Sequence, residues 1–181
     1  MVMNNHSIPS SLKLADWFYK KAISVGKQLN EQQIQHLLFL SQVHFILKSG
    51  RFLYPSLFVC DHSGFYNPTI RTLMEFGLPL MPKTNFSTEI ETFLELIWQK
   101  YALLSDVDLT KFVLSLECWK KNYRPNEEYI VNPMHIVDSF ADTLHLSKGK
   151  QNPKTKTKIM LSQHGPVKVS AWQPRKLSSS N

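Results

Sequence analysis

The chain has 181 residues, 43% of them hydrophobic and 12% aromatic, with a formal charge of +7, which suits one domain with a real core and some excess length. No run approaches the roughly 20 uncharged apolar residues of a membrane helix, and "MVMNNHSIPSS" lacks the basic and apolar regions of a secretory signal. Two cysteines cannot staple a disulfide scaffold, so the expectation is a cytoplasmic protein with reduced thiols and no membrane partner.

The charge is segregated along the chain. Residues 1–147 hold 13 Lys and Arg against 14 Asp and Glu, whereas residues 148–181 hold the other 8 basic residues and no acid. A near-neutral body over 10–147 and a basic, disordered tail over 148–181 follow, because high charge with few large apolar groups does not offset the entropy of ordering.

In chain order, Ser11 is placed to cap a first helix whose stripe is Leu14, Phe18, Ala22 and Val25, with Gly26 as its stop. Asn30 and Gln33 have the spacing of a capping box. The following "IQHLLFLSQVHFIL" is apolar on most of its circumference, the pattern of a central helix packed on several sides, and Ser49-Gly50 ends it.

"RFLYPSLFVCDHSGF" has the composition of extended chain and predicts a short hairpin, with Pro55 confined to an edge or bulge. Asn67-Pro68 supplies a cap and an N1 proline for a short helix with Ile70, Leu73 and Met74 on one face and Gly77 at its end. "LPLMPK" reads as a stiff connector.

Thr88 with Glu91 forms a second box ahead of the stripe Ile90, Phe93, Leu94, Ile97, Tyr101 and Leu104. Asp108 is expected to cap a helix through Leu116. Asn132-Pro133 opens another with the stripe Met134, Val137, Phe140, Ala141 and Leu144. The sum is a mainly α, compact bundle of about six helices with at most a small β-hairpin.

Sites of chemistry are sparse. Cys60 and His62 could contribute to a metal centre, but zinc takes four ligands at characteristic spacings and Cys118 is the sole further thiol. His36 and His44, eight apart on one helix, do not match an i, i+4 metal pair and read as partly buried, hydrogen-bonded rings. The run "CDHS" places acid, base and hydroxyl consecutively, whereas a triad needs them to converge in space. No phosphate-binding glycine loop or nucleophile elbow is present. The expectation is a protein that is not an enzyme and carries neither metal nor cofactor.

The succession "LADWFYKKA", "NEQQIQHLLFLSQVHFILKSGRFLY", "HSGFYNPTIRTLMEFG", "FLELIWQKYALLSDVDLTKFVLSLECWKKNYRP" and "YIVNPMHIVDSFAD" resembles the Panacea domain, a family of phage-associated, toxin-neutralising antitoxins. Leu37, Leu38, Phe39 and Gln42 match its leucine-rich helix, Gly64 its turn glycine, and Ile97, Trp98 and Tyr101 its aromatic helix. Leu114, Ser115 and Trp119 match in part its Leu-Thr-His…Trp segment. The resemblance covers about residues 10–145 and marks a divergent member. The family's Tyr-Gly-Pro is Ser63, Gly64 and Phe65 here, and its Thr-His is Ser115 and Leu116.

The resemblance implies a helical antitoxin that binds and neutralises a partner toxin or delivers it to a protease, in a toxin–antitoxin system. Phe65, Tyr66 and Arg71, beside an exposed aromatic turn, and Leu116 are then the expected partner-binding residues. Trp119 is expected to buttress the Asp108 to Leu116 helix against the Thr88 helix, burying roughly 150 to 250 Å². The alternative is nucleic-acid binding by the tail, with Lys154, Lys156, Lys158, Lys168, Arg175 and Lys176 on phosphates and Trp172 stacked on a base. The tail's "KIMLSQHGPVKVSAW" also has enough apolar residues for a short hairpin.

Overall fold

The computed structural model describes residues 7–77 and 85–147, together with two strands at 158–162 and 165–169. It divides into two units, 1–145 and 146–181. The described part of the first is mainly helical. It contains α1 (Ser11–Ser24), α2 (Glu31–Ser49), β1 (Phe58–Asp61), β2 (Gly64–Tyr66), α3 (Pro68–Glu75) and α4 (Thr88–Ile97). A π-helical turn (Trp98–Ala102), α5 (Asp106–Ser115), α6 (Glu117–Asn122), β3 (Tyr129–Val131) and α7 (Pro133–Ser147) follow, α7 running into the second unit.

The core is built around α2. Of its 19 residues 13 are buried, from Gln33 to Ile46, which is what an apolar circumference requires. Asn30 and Gln33 form the predicted capping box, and Gly50, at φ 68°, ends the helix in the left-handed region. Phe39 stacks on Phe65 with centroids 4.1 Å apart and meets Phe58 and Phe140 edge-on, geometries that add to simple area burial.

Three glutamines tie the following chain to α2. Gln42 Oε1 accepts from the Leu53 and Tyr54 amides while its Nε2 donates to the Tyr54 carbonyl. Gln35 clasps Asn67 in the same way, accepting from its amide at 2.8 Å and donating to its carbonyl. Gln32 Nε2 donates to the Ser63 carbonyl at 2.9 Å. The Gln42 and Gln35 side chains satisfy backbone groups that would otherwise be buried without partners.

β1 and β2 form the predicted hairpin, with Asp61 opposite Gly64. β3 was not foreseen. It pairs antiparallel with the other edge of β1, Phe58 opposite Val131, so the sheet order is β2-β1-β3. Such a pairing joins residues some seventy positions apart, and a three-residue run with two exposed members carries little periodic signal.

Several expected boundaries move. Ser10, not Ser11, caps α1 by accepting from the Lys13 amide; Ser87, not Thr88, caps α4; Ser105, not Asp108, caps α5. A cap needs extended backbone ahead of the first turn, and all three serines have it. The Asp108 carboxylate instead accepts from the Ser105 hydroxyl at 2.6 Å. Val25, expected in the α1 stripe, is 54% exposed.

The regular part of α4 stops at Ile97, and the π turn that follows buries Trp98 and Tyr101 and brings the Tyr101 hydroxyl 2.6 Å from His44 Nε2. Leu116 breaks from helix into extended conformation, which separates α6 as a seventh α-helix among the described residues. In α7, Ile136 and Phe140 are buried, while Met134, expected in the stripe, is exposed.

In the second unit the described residues are β4 (Lys158–Ser162) and β5 (Gly165–Val169), paired antiparallel with Lys158 opposite Val169. The segment expected as a disordered tail thus contains a hairpin, for which its apolar residues suffice. The "LPLMPK" connector lies outside the described residues.

Candidate functional site

The β1–β2 turn is held from three sides. The Asp61 carboxylate accepts from both the amide and the hydroxyl of Ser63, at 2.8 and 2.7 Å, a local bond that favours this turn. The Asp61 carbonyl accepts from the indole nitrogen of Trp119 at 2.9 Å. Gly64, at φ 129°, passes so close to α2 and α5 that a Cβ there would lie 2.7 Å from His36 Cε1 and 3.1 Å from Val113 Cγ1. Only glycine fits both the backbone and the space.

Arg71 of α3 reaches back over this turn. Its Nη2 donates to Asp61 Oδ2 at 3.1 Å, its Nε lies 3.8 Å from Glu31, and its guanidinium sits 3.3 Å from the centroid of the Tyr66 ring. Burial alone would raise the Asp61 pKa, but the bonds from Ser63 and Arg71 outweigh it and hold the carboxyl below its usual range. Burial pushes the Tyr66 phenol up to about 12, helped by a hydrogen bond with Glu128.

Beside Arg71 opens a cleft of about 530 Å³. One wall is Gln32, the Asp61 to Ser63 turn and Arg71; the other is Tyr123, Arg124 and the Asn126 to Glu128 stretch. The second wall is a tight turn, closed by a bridge between Arg124 and Glu127, with Asn126 at φ 62°. Arg124 Nη1 donates to the carbonyls of Lys121 and Tyr123, both at 3.0 Å, and Tyr123 stacks on Trp119 with centroids 4.7 Å apart.

The expected partner-binding residues separate. Phe65 and Leu116 are completely buried and Tyr66 is 4% exposed, so the exposed aromatic turn does not exist. Phe65 packs into the core on Phe39, and Tyr66 lies under Arg71. Arg71 alone of the four lines the cleft. The opposite wall was missed, although "NYRPNEEY", a proline-asparagine turn between an arginine and two glutamates, carries its signal. Trp119 is half-buried and packs on Tyr123 and the end of β1, not between α5 and α4 as expected.

Cys60 and Cys118 are buried free thiols, pushed up to about 12 chiefly by burial, which leaves them poor nucleophiles. His62 is exposed in the turn. Among the described residues no group of three or more His, Cys, Asp or Glu could hold a metal, and no helix is long and apolar enough to cross a membrane.

Of the tail residues, Lys158 and Lys168 fall on the described strands, one on each. Lys154, Lys156, Trp172, Arg175 and Lys176 lie outside the described residues. No family model, curated protein or solved structure matches this chain.

Proposed function

We propose that this chain is an antitoxin-like protein, of the phage-associated kind its motif order resembles, that binds a partner toxin and neutralises it or delivers it to a protease. The observation that carries the reading is the cleft beside Arg71. It opens at the turn and short helix that the motif order singles out, and the side chains on its walls are already anchored by Asp61, Glu31 and backbone carbonyls. Groups fixed before binding lose little entropy on complex formation, and interface energy concentrates in a few such anchors.

The test is co-expression with the toxic product of a neighbouring reading frame. Wild-type chain should rescue growth. The double substitution His62→Ala with Arg124→Ala, both exposed, trims one wall and frees the other from the bonds that Arg124 gives the Lys121 and Tyr123 carbonyls, and should abolish rescue while leaving the helical circular-dichroism signal intact. Rescue by the folded double variant would remove the cleft from the reading.

A second reading rests on the segregation of charge. Eight basic residues and no acid lie in 148–181, a composition that neutralises nucleic-acid phosphates. About six phosphate contacts would give a slope of log affinity against log salt near −5 with generic duplex. A flat response would dismiss it.

A further inference from the structure

We infer that the cleft receives an extended segment of the partner that carries a lysine or arginine, its cation lodging against Glu127 and Glu128; this rests on the protein-binding reading above. The charges of the two walls decide the occupant. Four carboxylates, Asp61, Glu127 and Glu128 with Glu31 behind Arg71, meet two guanidinium groups.

Both guanidinium groups are engaged. Arg71 is held by Asp61, Glu31 and the face of Tyr66, and Arg124 by two carbonyls. Carboxylates outnumber guanidinium groups around the cleft, so a basic ligand meets an excess of opposite charge and displaces no existing ion pair. No ion pair among the described residues involves Glu127 or Glu128, and Glu128 lies beside the Tyr66 phenol. A cation entering here meets two available carboxylates, with the Tyr123 ring on the same wall.

The width of the cleft suits a chain and not a lone ion. A volume of about 530 Å³ holds several residues of extended peptide, and its polar walls match the composition of an interface rim more than that of a small-molecule pocket. Residues 1–147 hold 13 basic and 14 acidic residues, a near-neutral balance, so binding of a basic segment reports a local site and not a general field.

The experiment is calorimetric titration of the full chain with an acetylated, amidated peptide of glycine and serine bearing two arginines, against the same peptide bearing two glutamates. The arginine peptide should bind and the glutamate peptide should not. Glu127→Gln with Glu128→Gln should weaken binding about tenfold or more, since interfacial charge pairs are coupled on that scale. Glu89→Gln with Glu91→Gln, on the exposed face of α4, should leave it unchanged.

Equal binding of the glutamate peptide, or undiminished binding by the Glu127 and Glu128 variant, would overturn the inference. So would failure of the arginine peptide to bind while toxin rescue still requires His62 and Arg124, an outcome that leaves the broader reading standing.

Discussion

His36 and His44 sit on the central helix, and burial lowers both rings to a pKa of about 4. At His36 the nearby Asp106 and Asp61 charges oppose the shift without cancelling it; at His44 the Lys100 charge adds to it. The folded pKa lies below the unfolded value of 6.5, so between those values the unfolded chain binds more protons. Stability is therefore complete above pH 6.5 and falls as pH drops toward 4. By pH 4.5 the loss should be on the order of 2 kcal/mol for each ring. Asp61, held below its ordinary 3.8, contributes only at lower pH. Urea unfolding at pH 7, 5.5 and 4.5 checks this, and a flat profile over that window would mean that the rings titrate freely.

Gly64 is the other residue on which much depends. Gly64→Ala would combine a positive φ with a Cβ 2.7 Å from His36 Cε1 and 3.1 Å from Val113 Cγ1, where the helix side chain cannot withdraw without disturbing the bonds of His36 to Gln32 and Thr110. A loss of roughly 2 to 4 kcal/mol is expected from strain and overpacking together. Denaturation of the variant with less than 1 kcal/mol lost would show that the turn relaxes freely.

Among the elements, those with short-range signals were legible in the sequence. The α2 capping box, the Asn67-Pro68 start of α3 and the β1–β2 hairpin each depend on residues within a few positions of one another. The caps at Ser10, Ser87 and Ser105 lie one to three residues upstream of Ser11, Thr88 and Asp108, neighbours that carry an equally suitable hydroxyl or carboxylate. What escaped depends on distant partners. Gln32, Gln35 and Gln42 look like polar interruptions of an apolar helix, and their role is visible only once residues 53–67 lie against them. The cleft shares this property, since Arg71 and the Arg124 to Glu128 turn meet only through the sheet.

The element-scale prediction concerns α6, joined to β1 through Trp119. Trp119→Ala removes its bond to the Asp61 carbonyl, its stack on Tyr123 and part of the ring's burial, for a loss of roughly 2 to 3 kcal/mol. Trp119→Phe keeps an aromatic face and should lose about 1 kcal/mol, the value of the bond. Equal losses in the two variants, measured by chemical denaturation, would show that the hydrogen bond and not the ring secures α6.

At the scale of the molecule, the hydrophobic core is drawn from residues between Ile8 and Phe140, with Leu144 packed against it, and the cleft from residues between Gln32 and Glu128. Both are complete within the first unit, whereas the excess of basic charge is confined to 148–181. Ending the chain at Ser147 should therefore separate the two functional readings. The shortened protein, whose formal charge falls from +7 to −1, should unfold within about 3 °C of the full chain, since 1 kcal/mol moves the midpoint by roughly 2 to 4 °C at this size. It should also keep toxin rescue and the affinity for an arginine-bearing peptide, because the carboxylates that attract that peptide all lie within the first unit and remain. A fall in the midpoint of more than about 8 °C would make residues 148–181 part of the cooperative fold. Loss of rescue with the midpoint unchanged would move partner recognition from the cleft to the basic segment, the outcome that the salt dependence of duplex binding then resolves.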